Sequence, residues 1–271
     1  MSKAPKKRLG VRDIQAMKSN GEGIVALTAY DACFAALAEA SGVDMILVGD
    51  SLGMTVLGYD TTLPVTLEQS LHHTAAVVRG CQRPMVVGDM PFLTYHINSD
   101  EALRNAGRYI QEAGASAVKL EGGRDMCPMV KRLSCSGIPV LGHIGILPQA
   151  VLATGGYRVQ GRSPEEAREL TADAAALQEA GAFALVLEGL PKQLAESISA
   201  DLEIPTIGIG AGPGCDGQIQ VVHDILGLFT AFKPKHARRY ANLAEQAQSA
   251  MENYCRDVRN QDFPGAEETF E

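Results

Sequence analysis

"AVKLEGG", residues 117–123, reads as a strand buried on both faces, interrupted only by Lys119 and Glu121. Side chains alternate between faces along a strand, so these two charges share one face. An ammonium and a carboxylate side by side in an apolar strand need a common purpose. A strand apolar on both faces belongs to a parallel sheet covered on both sides, and that reading directs the search outward along the chain.

Seven more short apolar runs rich in β-branched residues recur: "IVALTAY" (24–30), "MILVGD" (45–50), "PMVVGDM" (84–90), "IPVLGHIG" (138–145), "ALVLEGL" (184–190), "PTIGIGAG" (205–212) and, least clearly, "HDILGLF" (223–229). Helical patterns separate them. "DACFAALAEASG" (31–42), "SDEALRNAGRYIQEAG" (99–114), "DMCPMVKRLSCSG" (125–137) and "SPEEARELTADAAALQEAG" (163–181) all end at glycine, and most open on Asp or Ser. Those are helix stop and start signals. "EAGA" precedes both the fourth and the sixth run, a trace of repeated βα units. Eight strand–helix alternations predict an α/β fold, a (β/α)8 TIM barrel with additional C-terminal helices in "KPKHARRYANLAEQAQSAMENYCRDVRN" (233–260). A doubly wound open sheet is the alternative. No linker or composition shift marks a boundary, so 1–271 is expected to be a single barrel domain with a short N-terminal extension and a C-terminal helical segment.

A net charge of −8 argues for a soluble protein with no nucleic-acid partner. No run approaches the ~18 apolar residues of a membrane span. The basic start "MSKAPKKR" is followed by no apolar stretch of signal-peptide length, so a cytoplasmic address is expected. The six cysteines form no C-x-x-C pair and are expected to be reduced, most of them packed.

Catalytic groups of such barrels gather at the carboxyl ends of the strands. Four runs end in or beside an acid: Asp50, Asp89, Glu121 and Glu188. Singly, each has a plain explanation: a turn cap, a bend before Pro91, a neutralising partner for Lys119. Together they would crowd carboxylates into one crevice and raise one another's pKa unless a cation compensates. Lys119 supplies one charge. A divalent ion on hard oxygen ligands supplies the rest, and Asp, Asp and Glu without cysteine favour Mg2+ over zinc. Glu121 would then face the metal while Lys119 binds an anionic substrate. A Schiff-base role for Lys119 is disfavoured, since neighbouring carboxylates stabilise the protonated amine. Glu188 is the candidate general base, provided apolar surroundings raise its pKa. His143 is read either as a substrate or supporting hydrogen-bond partner or as a buried structural histidine. Of "HH" at 72–73, one ring is expected to pack and the other to be exposed. The Gly-rich "GIGAGPGCDGQ" (208–218) holds a formal G-x-G-x-x-G, but no clear helix follows at once, so a dinucleotide site is a weak reading.

"VGDSLGMTVLGYDTTLPVTLEQ", "VKLEGG", "GHIGILPQ", "GGYRVQGR", "LVLEGLP" and "IGIGAGPGCDGQ", in this order, resemble the ketopantoate hydroxymethyltransferase family over nearly the whole chain. The resemblance implies a (β/α)8 barrel that uses Mg2+ to bind 3-methyl-2-oxobutanoate. It implies transfer of a one-carbon unit from 5,10-methylenetetrahydrofolate through a Mg2+-stabilised enolate, giving 2-dehydropantoate for pantothenate synthesis. By the same resemblance Asp50, Asp89 and Glu121 hold the metal, and Ser51 and Lys119 contact the keto acid with Asp50 and Asp89 nearby; His143 joins the substrate-binding candidates from its place at the end of the fifth run. Glu188 accepts the proton. The partners implied are keto acid and folate, and the assembly a homo-oligomer, commonly a decamer. Two positions depart from the family pattern: Glu268, where histidine is expected, and His236, where phenylalanine is expected. Among other readings, a Mg2+-dependent lyase or mutase of the phosphoenolpyruvate mutase/isocitrate lyase type lacks its cysteine motif here. A non-catalytic scaffold would predict lost acids, and none is missing.

Overall fold

In a computed structural model, which describes residues 7–270, eight parallel strands close into a barrel in chain order. They are β1 (Ile24–Thr28), β2 (Met45–Val48), β3 (Met85–Asp89), β4 (Ala117–Glu121), β5 (Val140–Gly145), β6 (Ala184–Glu188), β7 (Thr206–Ile209) and β8 (Gly217–Gln220). β8 pairs with both β7 and β1, which closes the ring and excludes the open-sheet alternative. Two compact units divide the chain, one ending at Val221 and one beginning at Val222; the barrel lies wholly in the first.

Helices cover the strands where the caps indicate. Asp31, Asn98 and Ser163 each accept a backbone N–H three residues on, starting helices Ala32–Ala40, Ser99–Gln111 and Pro164–Glu179. Gly114 and Gly181 of the two "EAGA" runs take φ of +73° and +101°, the left-handed turn that returns each helix to its next strand. Helix Leu67–Gly80 leaves His72 exposed, while His73 packs with Nδ1 2.6 Å from the Tyr30 carbonyl oxygen.

Strand alternation sorts the core into two layers. Val118, Leu120, Val140, Leu185 and Leu187 face outward against the helices. Met85, Val87, Ala117, Leu141, Ala184 and Val186 face inward with Ile24, Met45, Leu47, Ile207 and Ile219. Burying one such side chain is worth roughly 1.5–3 kcal/mol. The barrel's lower half is therefore a packed apolar plug.

Four readings change. The eighth strand is Gly217–Gln220, inside the Gly-rich stretch, whereas "HDILGLF" carries the helix Val222–Leu226. Glycine is required at 217 because a Cβ there would sit 2.4 Å from the Ile24 carbonyl oxygen of the neighbouring strand. A helix at Val11–Asn20 occupies the supposed extension. Leu9, Gln15 and Lys18 at this end of the chain bond Arg83, Phe183 and Asp216 respectively, each just ahead of a strand, so Ile14 seals the amino mouth. In the second unit the long helix starts only at Leu243 and runs to Arg259; residues 233–242, opening on Lys-Pro-Lys, form turns. There the Glu268 carboxylate accepts the Gly265 N–H at 3.0 Å. Finally, Cys33, Cys135 and Cys255 are exposed rather than packed, and all six thiols are free.

Candidate active site

The inward face of β3 to β6 changes character along its length. Met85 and Val87 lead to Asp89; Ala117 leads to Lys119 and Glu121; Leu141 leads to His143; Ala184 and Val186 lead to Glu188. In register, Asp89 lies beside Lys119 and Glu121 beside His143. The charges thus stand on the apolar plug at the carboxyl mouth, and all of them except Glu188 are fully buried.

Lys119 Nζ donates to Asp89 Oδ1 at 2.6 Å and to Glu121 Oε1 at 3.3 Å. Asp50, in the turn after β2, donates its backbone N–H to Asp89 Oδ2 at 3.0 Å. Ser51 shares a 2.8 Å hydrogen bond with the Tyr30 hydroxyl. Its side chain does not cap the short helix that follows, so the turn-cap explanation is not met. A Cβ on Gly49 would fall 2.8 Å from Ser51 Oγ, which is why the "VGDS" turn is built on glycine. His143 places Nδ1 3.4 Å from Glu121 Oε1 and Nε2 3.2 Å from Glu188 Oε2. Neither nitrogen is aligned for a hydrogen bond, so the contacts are between charges. The apolar pocket expected around Glu188 is instead shared with this imidazole. β5 and β6 come together here because Gly145, at φ +102°, leaves room for the Glu188 carbonyl, 2.1 Å from where a Cβ would be.

The electrostatics show a shortage of positive charge. Burial, then the charges of Asp89 and Glu121, push Asp50 up to about 8. Burial likewise raises Asp89, although Lys119 pulls against it. For Lys119, burial lowers the pKa, but Asp89, Glu121 and Asp50 outweigh it and hold the ammonium well above its usual range. That is unsuited to a Schiff-base amine. Glu121, despite burial, is drawn down to about 2 by Lys119 and His143. His143, despite burial, is pushed up to about 9 by Glu121 and Glu188.

All seven residues singled out in the sequence stand around this mouth. Three others were missed. Gln149, inside the quoted "GHIGILPQ", donates to Asp50 Oδ2, and Tyr95 donates to Gln149 Oε1. Tyr157, in "GGYRVQGR", is half-exposed, and its hydroxyl is pushed up by burial and by the charges of Asp50, Glu188 and Glu121.

A parallel eight-stranded barrel with buried acids and one lysine at its carboxyl mouth has the form of a barrel enzyme. The ketopantoate hydroxymethyltransferase family model matches residues 8–266. The chain belongs to that family and is a transferase, as its motifs led one to expect. A 3-methyl-2-oxobutanoate hydroxymethyltransferase of Chloroflexus aurantiacus is 57% identical, the match covering 96% of this chain and 92% of the relative. One from Moorella thermoacetica is 54% identical, covering 98% and 99%. Among solved structures, phosphonopyruvate hydrolase in complex with oxalate and Mg++ shares the fold at a TM-score of 0.61 and 16% identity, covering 96% of this chain and 93% of that one. A 2,3-dimethylmalate lyase of the PEP mutase/isocitrate lyase superfamily does so at 0.58 and 17%, covering 96% and 91%.

Proposed function

We propose that this chain transfers a hydroxymethyl group from 5,10-methylenetetrahydrofolate to 3-methyl-2-oxobutanoate, giving 2-dehydropantoate for pantothenate synthesis. The family and the names of its relatives support the reaction. The observation that carries the mechanism is the buried Asp50–Asp89–Glu121 group, which faces the Lys119 ammonium and is separated from Glu188 by the His143 imidazole.

The donor set fits a Mg2+ ion. Asp50 is pushed toward its protonated form by burial and by the charges of Asp89 and Glu121, and its Oδ1 takes no hydrogen bond from the described residues. Among those residues no three His, Cys, Asp or Glu side chains make a ready cage. Mg2+ rarely needs one, since it usually keeps water and substrate oxygens in its shell. Asp50, Asp89 and Glu121 would hold it. When bound, the cation supplies positive charge for the oxygen that becomes anionic as the enolate forms.

The remaining steps belong to the chain. Lys119, fixed by Asp89 and Glu121, offers its ammonium to the substrate carboxylate. Ser51, held by Tyr30, orients the keto acid. Glu188, the least buried of the four acids, takes the proton from C3, and His143 beside it steadies the resulting charge pattern. C3 then forms a carbon–carbon bond to the methylene carbon as one of that carbon's two bonds to folate nitrogen breaks; the oxygen of water replaces the second nitrogen, and the protons lost by C3 and by water end on the two nitrogens of tetrahydrofolate. Folate enters over the open carboxyl mouth.

Proton exchange tests this reading. In D2O with 3-methyl-2-oxobutanoate and Mg2+, the C3–H NMR signal should fade without folate, and Glu188→Gln should slow this by about 10²–10⁴-fold. Metal-independent exchange would overturn the cation reading, and no exchange even with a folate analogue would overturn the keto-acid assignment in favour of lyase chemistry. A homo-oligomer, of the decameric kind, is proposed from the resemblance alone, and a cytoplasmic address from the basic start "MSKAPKKR" with no apolar stretch of signal-peptide length after it. Among the described residues no helix is long and apolar enough to cross a membrane.

A further inference from the structure

Gln149 does not touch any group the reaction uses directly for proton transfer, yet it ties the acids of two strands together. It is buried, at the turn Pro148–Ala150 beyond β5. Its side-chain nitrogen donates to Asp50 Oδ2 and to the Met90 carbonyl, both at 3.0 Å. Its backbone N–H donates to Glu121 Oε2 at 3.1 Å. Its side-chain oxygen accepts from the Tyr95 hydroxyl at 2.7 Å.

The direction of this amide is determined. The Met90 carbonyl can only accept, so the amide nitrogen faces it and Asp50; the Tyr95 hydroxyl accepts the Glu121 N–H at 3.1 Å and lies 2.7 Å from Gln149 Oε1, nearer than the 3.4 Å to its second acceptor, the Glu121 carbonyl. The amide oxygen must therefore face Tyr95 and its two N–H bonds must face Asp50 and Met90. Asp50 is left presenting Oδ1, and Glu121 presents Oε1 toward Lys119 and His143. A glutamate at 149 would add another carboxylate to the cluster. An asparagine is one methylene short of spanning Asp50 and Tyr95.

We infer that Gln149 is a positioning residue that selects which oxygens of Asp50 and Glu121 face the cation and the keto acid, with Tyr95 locking its amide. This rests on the cation reading above. The test is Mn2+ binding to the purified full-length chain, followed by the EPR signal of free Mn2+, alongside thermal unfolding. Gln149→Met keeps length and volume but removes both side-chain donors, and should weaken Mn2+ binding by about 10–100-fold in a folded protein. Tyr95→Phe, which deletes one buried oxygen, should weaken it less but by more than about threefold. A merely space-filling Gln149 predicts altered melting with unchanged affinity, and affinity within about twofold of wild type in folded Gln149→Met overturns the inference alone. If that variant does not fold, unchanged affinity in Tyr95→Phe overturns it instead. Wild-type protein that binds no Mn2+ overturns the cation reading and this inference with it.

Discussion

The two mouths of the barrel use the same kinds of charge to opposite ends. At the amino mouth two acids that stand just ahead of strands, Asp216 and Asp44, each have their own cation. Lys18 Nζ lies 2.9 Å from Asp216 Oδ2, which also accepts the Thr206 N–H; Arg83 Nη2 lies 2.9 Å from Asp44 Oδ1. At the carboxyl mouth four acids face one lysine and one histidine. Paired charges tie strand ends together and ask for nothing more. Unbalanced ones destabilise the empty site and so create affinity for a cationic or proton-donating ligand. What separates structural from functional charge here is the balance together with burial, since the residue types are similar but the amino-mouth pairs keep part of their surface in solvent and Asp89, Lys119 and Glu121 do not.

The largest break in this contrast is Lys119→Met. Removing the single buried ammonium leaves Asp89 and Glu121 uncompensated, and should cost about 3–5 kcal/mol in urea unfolding together with all activity. A smaller loss would mean that Asp50 and Asp89 are already neutral. Asp50→Asn should act in the reverse sense on stability. The metal-free protein should melt higher while Mn2+ affinity falls by at least about tenfold, and a lower melting point would refute the charge shortage. Lys18→Met, at the other mouth, should cost about 1–2 kcal/mol and leave kcat/KM within about twofold, since Asp216 keeps its bonds from Thr206.

The smallest effect is in pH dependence. Asp50 at about 8 holds a proton that the unfolded chain releases near 3.8, so this group withdraws stability as pH rises between those values. His143 at about 9 acts in the same sense: its contribution is whole below 6.5 and lost on the way to 9. Glu121 at about 2 contributes above 4.5 and loses that contribution only in acid. Without Mg2+, the melting temperature should therefore fall by a few degrees (about 2–4 °C per kcal/mol) from pH 5 to pH 8, and saturating Mg2+ should flatten the slope. A flat metal-free profile would erase the distinction between the mouths.

Much of this was legible in the sequence because acids and a lysine interrupt apolar strands. Asp89, Lys119, Glu121 and Glu188 stand out against Val, Leu and Ala, and strand alternation alone puts Lys119 and Glu121 on one face. Seven strands carry that apolar signature. Gly217–Gln220 does not, because alternating Gly-Gln-Ile-Gln beside β1 reads as loop, while the apolar "HDILGLF" offers spacing that suits a helix as well as a strand. Gln149 was hidden for a different reason. It carries no charge, follows a proline in a turn, and gains its meaning only when β2 and β4 bring Asp50 and Glu121 to either side of it. The place of His143 between Glu121 and Glu188 was legible in strand order, since it ends the strand between theirs, but its approach to both carboxylates is a matter of register.

The inward sequence Ala117–Lys119–Glu121 also acts as quality control during folding. A slip of β4 by one residue would turn Val118 and Leu120 into the barrel and swing both charges among the apolar side chains beneath the helices. No partner awaits them there, so a mis-registered chain would be poorly folded as well as inactive. Molecules that pass the cell's test for compactness are thereby also those whose chemistry is correctly assembled.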